Sequence, residues 1–249
     1  MRVTIEVWRQ RSSSDKGGYE THVVPDATPE MSLLELLDRL NDLLVGRGEE
    51  PIAFESDCRE GICGACGVSV DGVPHGPVPN TPSCRQHLRA FGAISTLRIE
   101  PLRSAAFPVI RDLVVDRSRL DELIRAGGHV AVDAGTAPDA DAVWQTHDDA
   151  ELALDFAACI GCGACVAACP NGAAHLFAGA KLAHLALMPQ GSLERGRRAK
   201  KVVAAMDDRF GPCSTYGECV QVCPAGIPLT AVAAVNRERL RRGILGKAR

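Results

Sequence analysis

Aromatic residues are scarce in this chain of 249 residues, in which Phe, Trp and Tyr together make up 4%. The large rings that anchor most protein cores are therefore few. Hydrophobic residues of all kinds still reach 46% and charged residues 24%, a composition that excludes wholesale disorder. We expect one or two folded domains whose interior is stabilised by something besides aromatic packing.

Long hydrophobic runs are absent as well. No stretch approaches the roughly 18–20 uninterrupted apolar residues of a membrane-spanning helix. The opening segment Met1–Trp8 alternates like a strand and lacks the apolar centre of a signal peptide. We expect no export, and any association with a membrane should come through a partner.

An excess of positive charge and the common nucleotide-binding motifs are also missing. The net charge is −3, so the chain has no overall basic field to hold nucleic acid, and we expect no nucleic-acid partner. The sequence has no G-x-G-x-x-G fingerprint, no P-loop and no nucleophile elbow. No catalytic residue is predicted on this chain, and substrate chemistry is expected to belong to other subunits.

Cysteine is the residue in excess, with 11 copies. In a reducing cytoplasm, clustered cysteines are more often metal ligands than disulfides. The odd total also excludes complete internal pairing. The cysteines are therefore candidate metal ligands.

The N-terminal part of the sequence has the pattern of a compact α+β unit. A Ser32-x-x-Glu35 capping box begins a leucine-rich helix, and an Asp71-Gly72 turn predicts a tight hairpin. The strand-like segments are Val3–Trp8, Thr21–Val24, Val68–Val70 and Thr96–Glu100. Two strands, a helix and a cysteine loop among later strands predict a β-grasp domain over residues 1–103.

The pattern breaks between Pro101 and Pro108, and the sequence then becomes Ala-rich and helical in character. Predicted helical segments are Ser118–Ala126, Asp148–Phe156, Leu193–Arg209 and Leu229–Arg242. Cysteine loops that contain Gly and Pro separate them. Residues 104–249 are therefore predicted to form a second, helical domain.

The first cysteine group is Cys58-x4-Cys63-x2-Cys66, followed after 17 residues by Cys84. This is the spacing of plant-type 2Fe-2S sites. Glycines between the cysteines let the backbone wrap closely enough for N–H groups to reach the sulfurs. Structural zinc usually takes two short knuckles separated by a longer insert, so the spacing favours a 2Fe-2S cluster over zinc.

The second group is the run Cys159-x2-Cys162-x2-Cys165-x3-Cys169, followed directly by proline. It has the spacing of bacterial 4Fe-4S sites, in which the fourth cysteine ligates the neighbouring cluster. We therefore predict that the first three cysteines combine with Cys223 of the next loop to hold a 4Fe-4S cluster.

The last loop has one ligand too few. Cys213 and Cys219 align with the same template, but Tyr216 stands where the middle cysteine belongs. With Cys169 the site has three thiols, which predicts a 3Fe-4S cluster. A 4Fe-4S cluster with a ligand other than cysteine, or an empty site, is the alternative.

Several segments together resemble one known family. Ser56–Cys66, then Phe107–Arg117, then the two Cys-Pro loops in this order resemble the iron–sulfur subunit of succinate dehydrogenase and fumarate reductase. The resemblance runs over nearly the whole chain. It implies a plant-type ferredoxin-like β-grasp domain followed by an all-α helical ferredoxin domain.

The resemblance also implies partners. These are an FAD-containing flavoprotein subunit, a membrane-anchor subunit and a quinone; haem b is the expected group of the anchor, and a haem-free anchor is the alternative. Electrons from succinate would pass one at a time through the 2Fe-2S, 4Fe-4S and 3Fe-4S clusters to the quinone. The anchor would hold the chain peripherally at the cytoplasmic face of the cell membrane.

Two positions depart from the family pattern near the quinone. Many members carry a tryptophan and a histidine where this chain has Ala174 and Ser214. The usual quinone pocket is therefore not carried over, and a vicinity to quinone is considered instead for Pro170, His175, Lys181 and His184.

Other functions stay open at this point. Fumarate reductase would use the same carriers in the reverse direction. A free-standing soluble polyferredoxin would need no partner subunit, and a zinc-stabilised scaffold would hold no iron.

Overall fold

The N-terminal part of the chain is built on a mixed five-stranded sheet. The structure, a computed structural model, describes residues 1–92, 96–130, 145–188 and 192–245. The strands are β1 Val3–Arg9, β2 Gly18–Val24, β3 Val68–Val70, β4 Val73–Pro74 and β5 Thr96–Pro101, in the order β2-β1-β5-β3-β4. Strand β1 pairs antiparallel with β2 and parallel with β5, so Ile5 lies between His22 and Leu97. The first two predicted strand segments thus form an antiparallel pair.

Helix α1 (Leu33–Gly46) closes one face of this sheet, and its start is the predicted capping box. The Glu35 backbone N–H donates to Ser32 Oγ at 3.2 Å, and the Ser32 N–H donates to the Glu35 carboxylate at 2.6 Å. Six leucines of the helix are buried in one core with the inward residues of β1 and β5. This core is almost entirely aliphatic, which explains how the domain packs with few aromatic rings.

A small hairpin between the two halves was not predicted from the sequence. Its strands are β6 Val109–Arg111 and β7 Val114–Val115. At the turn, buried Asp112 accepts hydrogen bonds from the backbone N–H groups of Gln10 at 3.0 Å and Ala53 at 2.9 Å. Leu113 belongs to the N-terminal core, whereas Phe107 lies in a core of the helical half. The division at residue 103 stays a prediction.

The C-terminal part that the structure describes is mostly helical. Its helices are α2 Ser118–Leu123, α3 His147–Ala157, α4 Ala164–Ala168, α5 His175–Leu187, α6 Ser192–Arg209, α7 Glu218–Gln221 and α8 Thr230–Leu245, with a π-helical turn at Ile124–Gly128. Four of these seven, α2, α3, α6 and α8, correspond to predicted segments. None of the described helices has the length and apolar content that crossing a membrane would require.

Helix α5 lies at the centre of the helical half and was missed from the sequence. Nine of its 13 residues are buried, because α3, α6 and α8 pack around it. Apolar side chains are spread around most of its circumference, although Lys181 and His184 are only partly buried, so it lacks the one-sided pattern by which amphipathic helices are recognised. At Gly179 a Cβ atom would lie 2.0 Å from the carbonyl oxygen of Ala231, so glycine permits the close crossing of α5 and α8.

Candidate metal centres

The first centre is the loop from Cys58 to Gly67, between α1 and β3. The Cys58 sulfur accepts hydrogen bonds from three backbone N–H groups: those of Glu60 at 3.3 Å, Ile62 at 3.4 Å and Cys63 at 3.3 Å. These bonds, Glu60 first, lower the pKa of the Cys58 thiol to about 7. The loop therefore stabilises a thiolate, which is the form that binds metal.

The other side of this centre is deeper in the domain. Cys66 and Cys84 are 4% and 6% exposed, and burial raises the pKa of the Cys66 thiol to about 12, with the neighbouring Cys84 thiol adding to the shift. The Cys66 thiol therefore ionises readily only beside a compensating cation, since burial disfavours an isolated negative charge. A set that combines the readily ionised Cys58 thiol with the buried thiols of Cys66 and Cys84 therefore fits the predicted 2Fe-2S cluster.

The second centre is a small cavity between the two Cys-Pro loops. Cys159, Cys162, Cys165 and Cys223 all line this cavity. Burial raises the pKa of the Cys162 thiol to about 12, and it also raises the pKa of Cys165, whose neighbours include the other three thiols. The structure thus brings together the four cysteines that the sequence spacing predicts as ligands of the 4Fe-4S cluster, including the distant Cys223.

The third centre has three thiols. The pKa of Cys219 is raised by burial and then by the neighbouring thiols Cys169 and Cys213, so these three lie together. Tyr216 is 62% exposed and stands between Thr215 and Gly217, both in the left-handed region with φ of 55° and 95°. The loop therefore offers a phenol at its surface where a fourth thiol would be needed.

The loops of the first and second centres touch backbone to backbone. Gly64 has φ of 70°, and a Cβ atom there would lie 2.2 Å from the carbonyl oxygen of Ile160 and 3.0 Å from the backbone nitrogen of Cys162. Only glycine fits both the conformation and the space. The cysteine loops of the two halves are therefore neighbours, although the sequence pattern gave no indication of this contact.

The four residues considered for a quinone vicinity fall in different surroundings. His175 is 6% exposed, its Nδ1 has no hydrogen-bond partner in the described part of the chain, and it lines a cavity with Cys213, Asp207 and Arg239. Lys181 instead donates to the carbonyl oxygen of Cys159 at 3.1 Å. His175 is therefore the one that shares a cavity with a cysteine of the third centre.

Pro170 and His184, the other two residues considered for a quinone vicinity, lie away from the cavity that His175 lines. Pro170 is exposed at the end of the first Cys-Pro loop. His184 lies on α5, and burial followed by the charge of Lys181 lowers its pKa. Neither residue lines the cavity beside Cys213.

Three sets of thiols on two small domains define an iron–sulfur protein of the electron-carrying type. Residues 4–122 match the family of 2Fe-2S iron-sulfur cluster binding domains, and residues 158–227 match the family of 4Fe-4S dicluster domains. The predictions of a 2Fe-2S centre and of a pair of clusters in the helical half are thereby confirmed.

The chain belongs to the family of iron–sulfur subunits of succinate dehydrogenase and fumarate reductase. It is 30% identical to the fumarate reductase iron-sulfur subunit of Mycobacterium tuberculosis, over 96% of this chain and 92% of the relative. Identity to the Escherichia coli fumarate reductase iron-sulfur subunit is 31%, over 92% and 89%. The succinate dehydrogenase iron-sulfur subunit of Bacillus subtilis is 29% identical, also over 92% and 89%.

A solved structure shares the fold. A chain of the Mycobacterium smegmatis Sdh1 complex in its apo form matches with a TM-score of 0.70 and 23% identity, over 97% of each chain. The sheet-containing first half and the helical second half thus recur together.

Proposed function

We propose that this chain is the electron-transfer subunit of a succinate:quinone oxidoreductase, working in the direction of succinate dehydrogenase. Its bound clusters would each accept and release one electron at a time. The chain's own part is to hold them in order and to keep water from the buried thiols. The observation that carries this proposal is the row of three thiol sets, with the loops of the first and second in backbone contact at Gly64.

The proposed ligands follow the thiol sets. Cys58, Cys63, Cys66 and Cys84 hold the 2Fe-2S cluster; Cys159, Cys162, Cys165 and Cys223 hold the 4Fe-4S cluster; Cys169, Cys213 and Cys219 hold the 3Fe-4S cluster. Support comes from the hydrogen bonds to Cys58, from the cavity shared by the second set, and from the raised pKa of Cys219, which burial causes first and the neighbouring thiols Cys169 and Cys213 increase.

We also propose the finer description of the fold. Residues 1–103 form a β-grasp domain of the plant-type ferredoxin-like kind, and residues 104–249 form a helical ferredoxin domain. The parallel pairing of β1 and β5 at the centre of the sheet, with α1 across it, supports the first assignment.

The proposed partners are an FAD-containing flavoprotein and a membrane anchor with haem b, which would hold the chain at the cytoplasmic face of the membrane. A quinone is the proposed electron acceptor. His175 is the preferred contact among the four residues considered, since its free Nδ1 and its cavity beside Cys213 could offer a hydrogen bond to a quinone oxygen.

The direct test is purification of the native complex and an assay of succinate-dependent quinone reduction. We expect activity and a co-purifying flavoprotein. Fumarate reduction with the faster rate would favour the fumarate reductase assignment, as in two of the relatives. A chain that elutes alone in gel filtration, without activity, would identify a free polyferredoxin and refute the proposal.

The assignment of the third centre predicts the result of Tyr216→Cys. This substitution supplies the missing thiol, so bound iron should rise by one atom per chain and the low-temperature EPR signal of the oxidised trinuclear cluster should disappear. Tyr216→Ser is the matched control, because it removes the ring without adding a thiol and should leave that signal unchanged. An unaltered iron content and signal in Tyr216→Cys would contradict the three-thiol assignment.

A further inference from the structure

Arg117 joins the loops of the first and second centres. It follows β7, and its Nη1 donates to the carbonyl oxygen of Gly64 at 2.6 Å and to that of Cys162 at 3.5 Å. Its Nη2 donates to the Glu55 carboxylate at 2.7 Å. One guanidinium therefore contacts backbone from both cysteine loops and is oriented by an acidic partner.

These contacts depend on the shape and charge of arginine. The guanidinium is planar, carries several donors in a fixed arrangement and remains protonated at every accessible pH. The Arg117 side chain is 21% exposed, so its charge is only partly screened by solvent. A surface ion pair with Glu55 alone would contribute little to the stability of the fold. The two carbonyl contacts give the residue a further role.

The position of Arg117 places its charge beside both thiol sets. The carbonyl oxygens that it contacts belong to Gly64, next to Cys63, and to Cys162 itself. Arg117 also lines one pocket together with Cys63 of the first set and Cys159 of the second. The guanidinium therefore lies between the loops that carry the first and second thiol sets.

We propose that Arg117 is a positioning residue that fixes the spacing of the first two clusters and supplies a permanent positive charge between them. This inference rests on the ligand sets proposed above. Reduction adds a negative charge to either cluster, and a nearby cation stabilises that added charge. Arg117 therefore raises both midpoint potentials and, by holding Gly64 and Cys162, keeps the two clusters in close electronic contact.

The test is a redox titration of the purified complex, followed by EPR. In Arg117→Met we expect lower midpoint potentials for the 2Fe-2S and 4Fe-4S clusters, a smaller shift for the 3Fe-4S cluster, and weaker magnetic coupling between the first two when both are reduced. Arg117→Lys keeps the charge but lacks the planar fork that holds the two carbonyls and the Glu55 carboxylate together, so the potentials should stay close to wild type while the coupling weakens.

Two further variants separate this role from a general loss of charge. Arg111→Met removes an exposed arginine of β6 that pairs with Glu50, and it should leave all three potentials unchanged. Glu55→Gln removes the carboxylate beside Arg117 and should shift the first two potentials upward, opposite to Arg117→Met. If the Arg117→Met chain fails to assemble into the complex, the redox titration of Glu55→Gln still tests the effect of charge at this position.

Unchanged potentials and coupling in Arg117→Met, or unchanged potentials in Glu55→Gln, would overturn the inference, provided that all three EPR signals are present. Absence of those signals in the wild-type complex would instead refute the proposed function. The two failures are therefore distinguishable.

Discussion

Removal of iron and sulfide should unfold the helical half of the protein while the N-terminal sheet stays folded. The reason lies in the composition of the two cores. The N-terminal core consists mainly of valine, leucine and isoleucine, many of them from the sheet and α1, and contains only two cysteines, Cys66 and Cys84. One core of the helical half instead has four alanines among its nine buried residues, with Cys223 inside it and four more cysteines packed against it. Small side chains contribute little hydrophobic free energy, so metal–thiolate bonds replace it.

The measurement is far-UV circular dichroism after anaerobic chelation, combined with hydrogen exchange. Most of the helical signal should be lost, because α1 is the only α-helix that the described part of the sheet domain contributes. Amide protons of β1 and β5 should remain protected. Full helicity after complete loss of the clusters would contradict this expectation.

Gly64→Ala should disrupt the junction between the two halves. The added methyl group would lie 2.2 Å from the carbonyl oxygen of Ile160, and the backbone there has φ of 70°. A residue other than glycine in that conformation costs about 1–3 kcal/mol. The clash involves backbone atoms rather than a flexible side chain, so relief requires the two loops to separate. Overpacking of this kind typically costs another 1–3 kcal/mol or so.

Gly72→Ala is the matched control, because Gly72 has φ of 80° but no atom within 4 Å of the added methyl group. It carries the conformational cost without the clash. Thermal unfolding of the intact complex should show a clearly larger loss of melting temperature for Gly64→Ala, and its 2Fe-2S and 4Fe-4S clusters should lose magnetic coupling. Equal losses in both variants would show that the loops are not in close contact.

Local signals in the sequence predicted much of the fold. The capping box at Ser32 and the hairpin turn at Asp71-Gly72 depend on residues next to one another in the chain, and both form as expected. The three metal centres could be predicted from the sequence in the same way, because most of their cysteines lie close together in the chain at characteristic spacings. The ligand assignments remain predictions, although the structure gathers the same thiol sets.

Other features could not be read from the sequence. Helix α5 lacks a clear amphipathic periodicity because its neighbours bury nine of its 13 residues. The β6–β7 hairpin is built from strands of three and two residues, too short for an alternating pattern. The contact of Gly64 with Ile160 and the contacts of Arg117 join loops that are far apart in sequence. No local sequence pattern indicates that such loops lie next to each other in the fold.

The hairpin at residues 109–115 limits how far the protein can be treated as two interchangeable modules. Asp112 accepts hydrogen bonds from backbone N–H groups of the sheet domain, and Leu113 packs in the core of that domain. Phe107 and Val115 instead pack in a core of the helical half. A cut before the hairpin would leave Gln10 and Ala53 without their buried acceptor, and a cut after it would take Phe107 from the other core. A chimera in which a foreign ferredoxin domain replaces one half would therefore have to keep this hairpin segment. Without it, the hydrophobic cores of both halves would need to be redesigned.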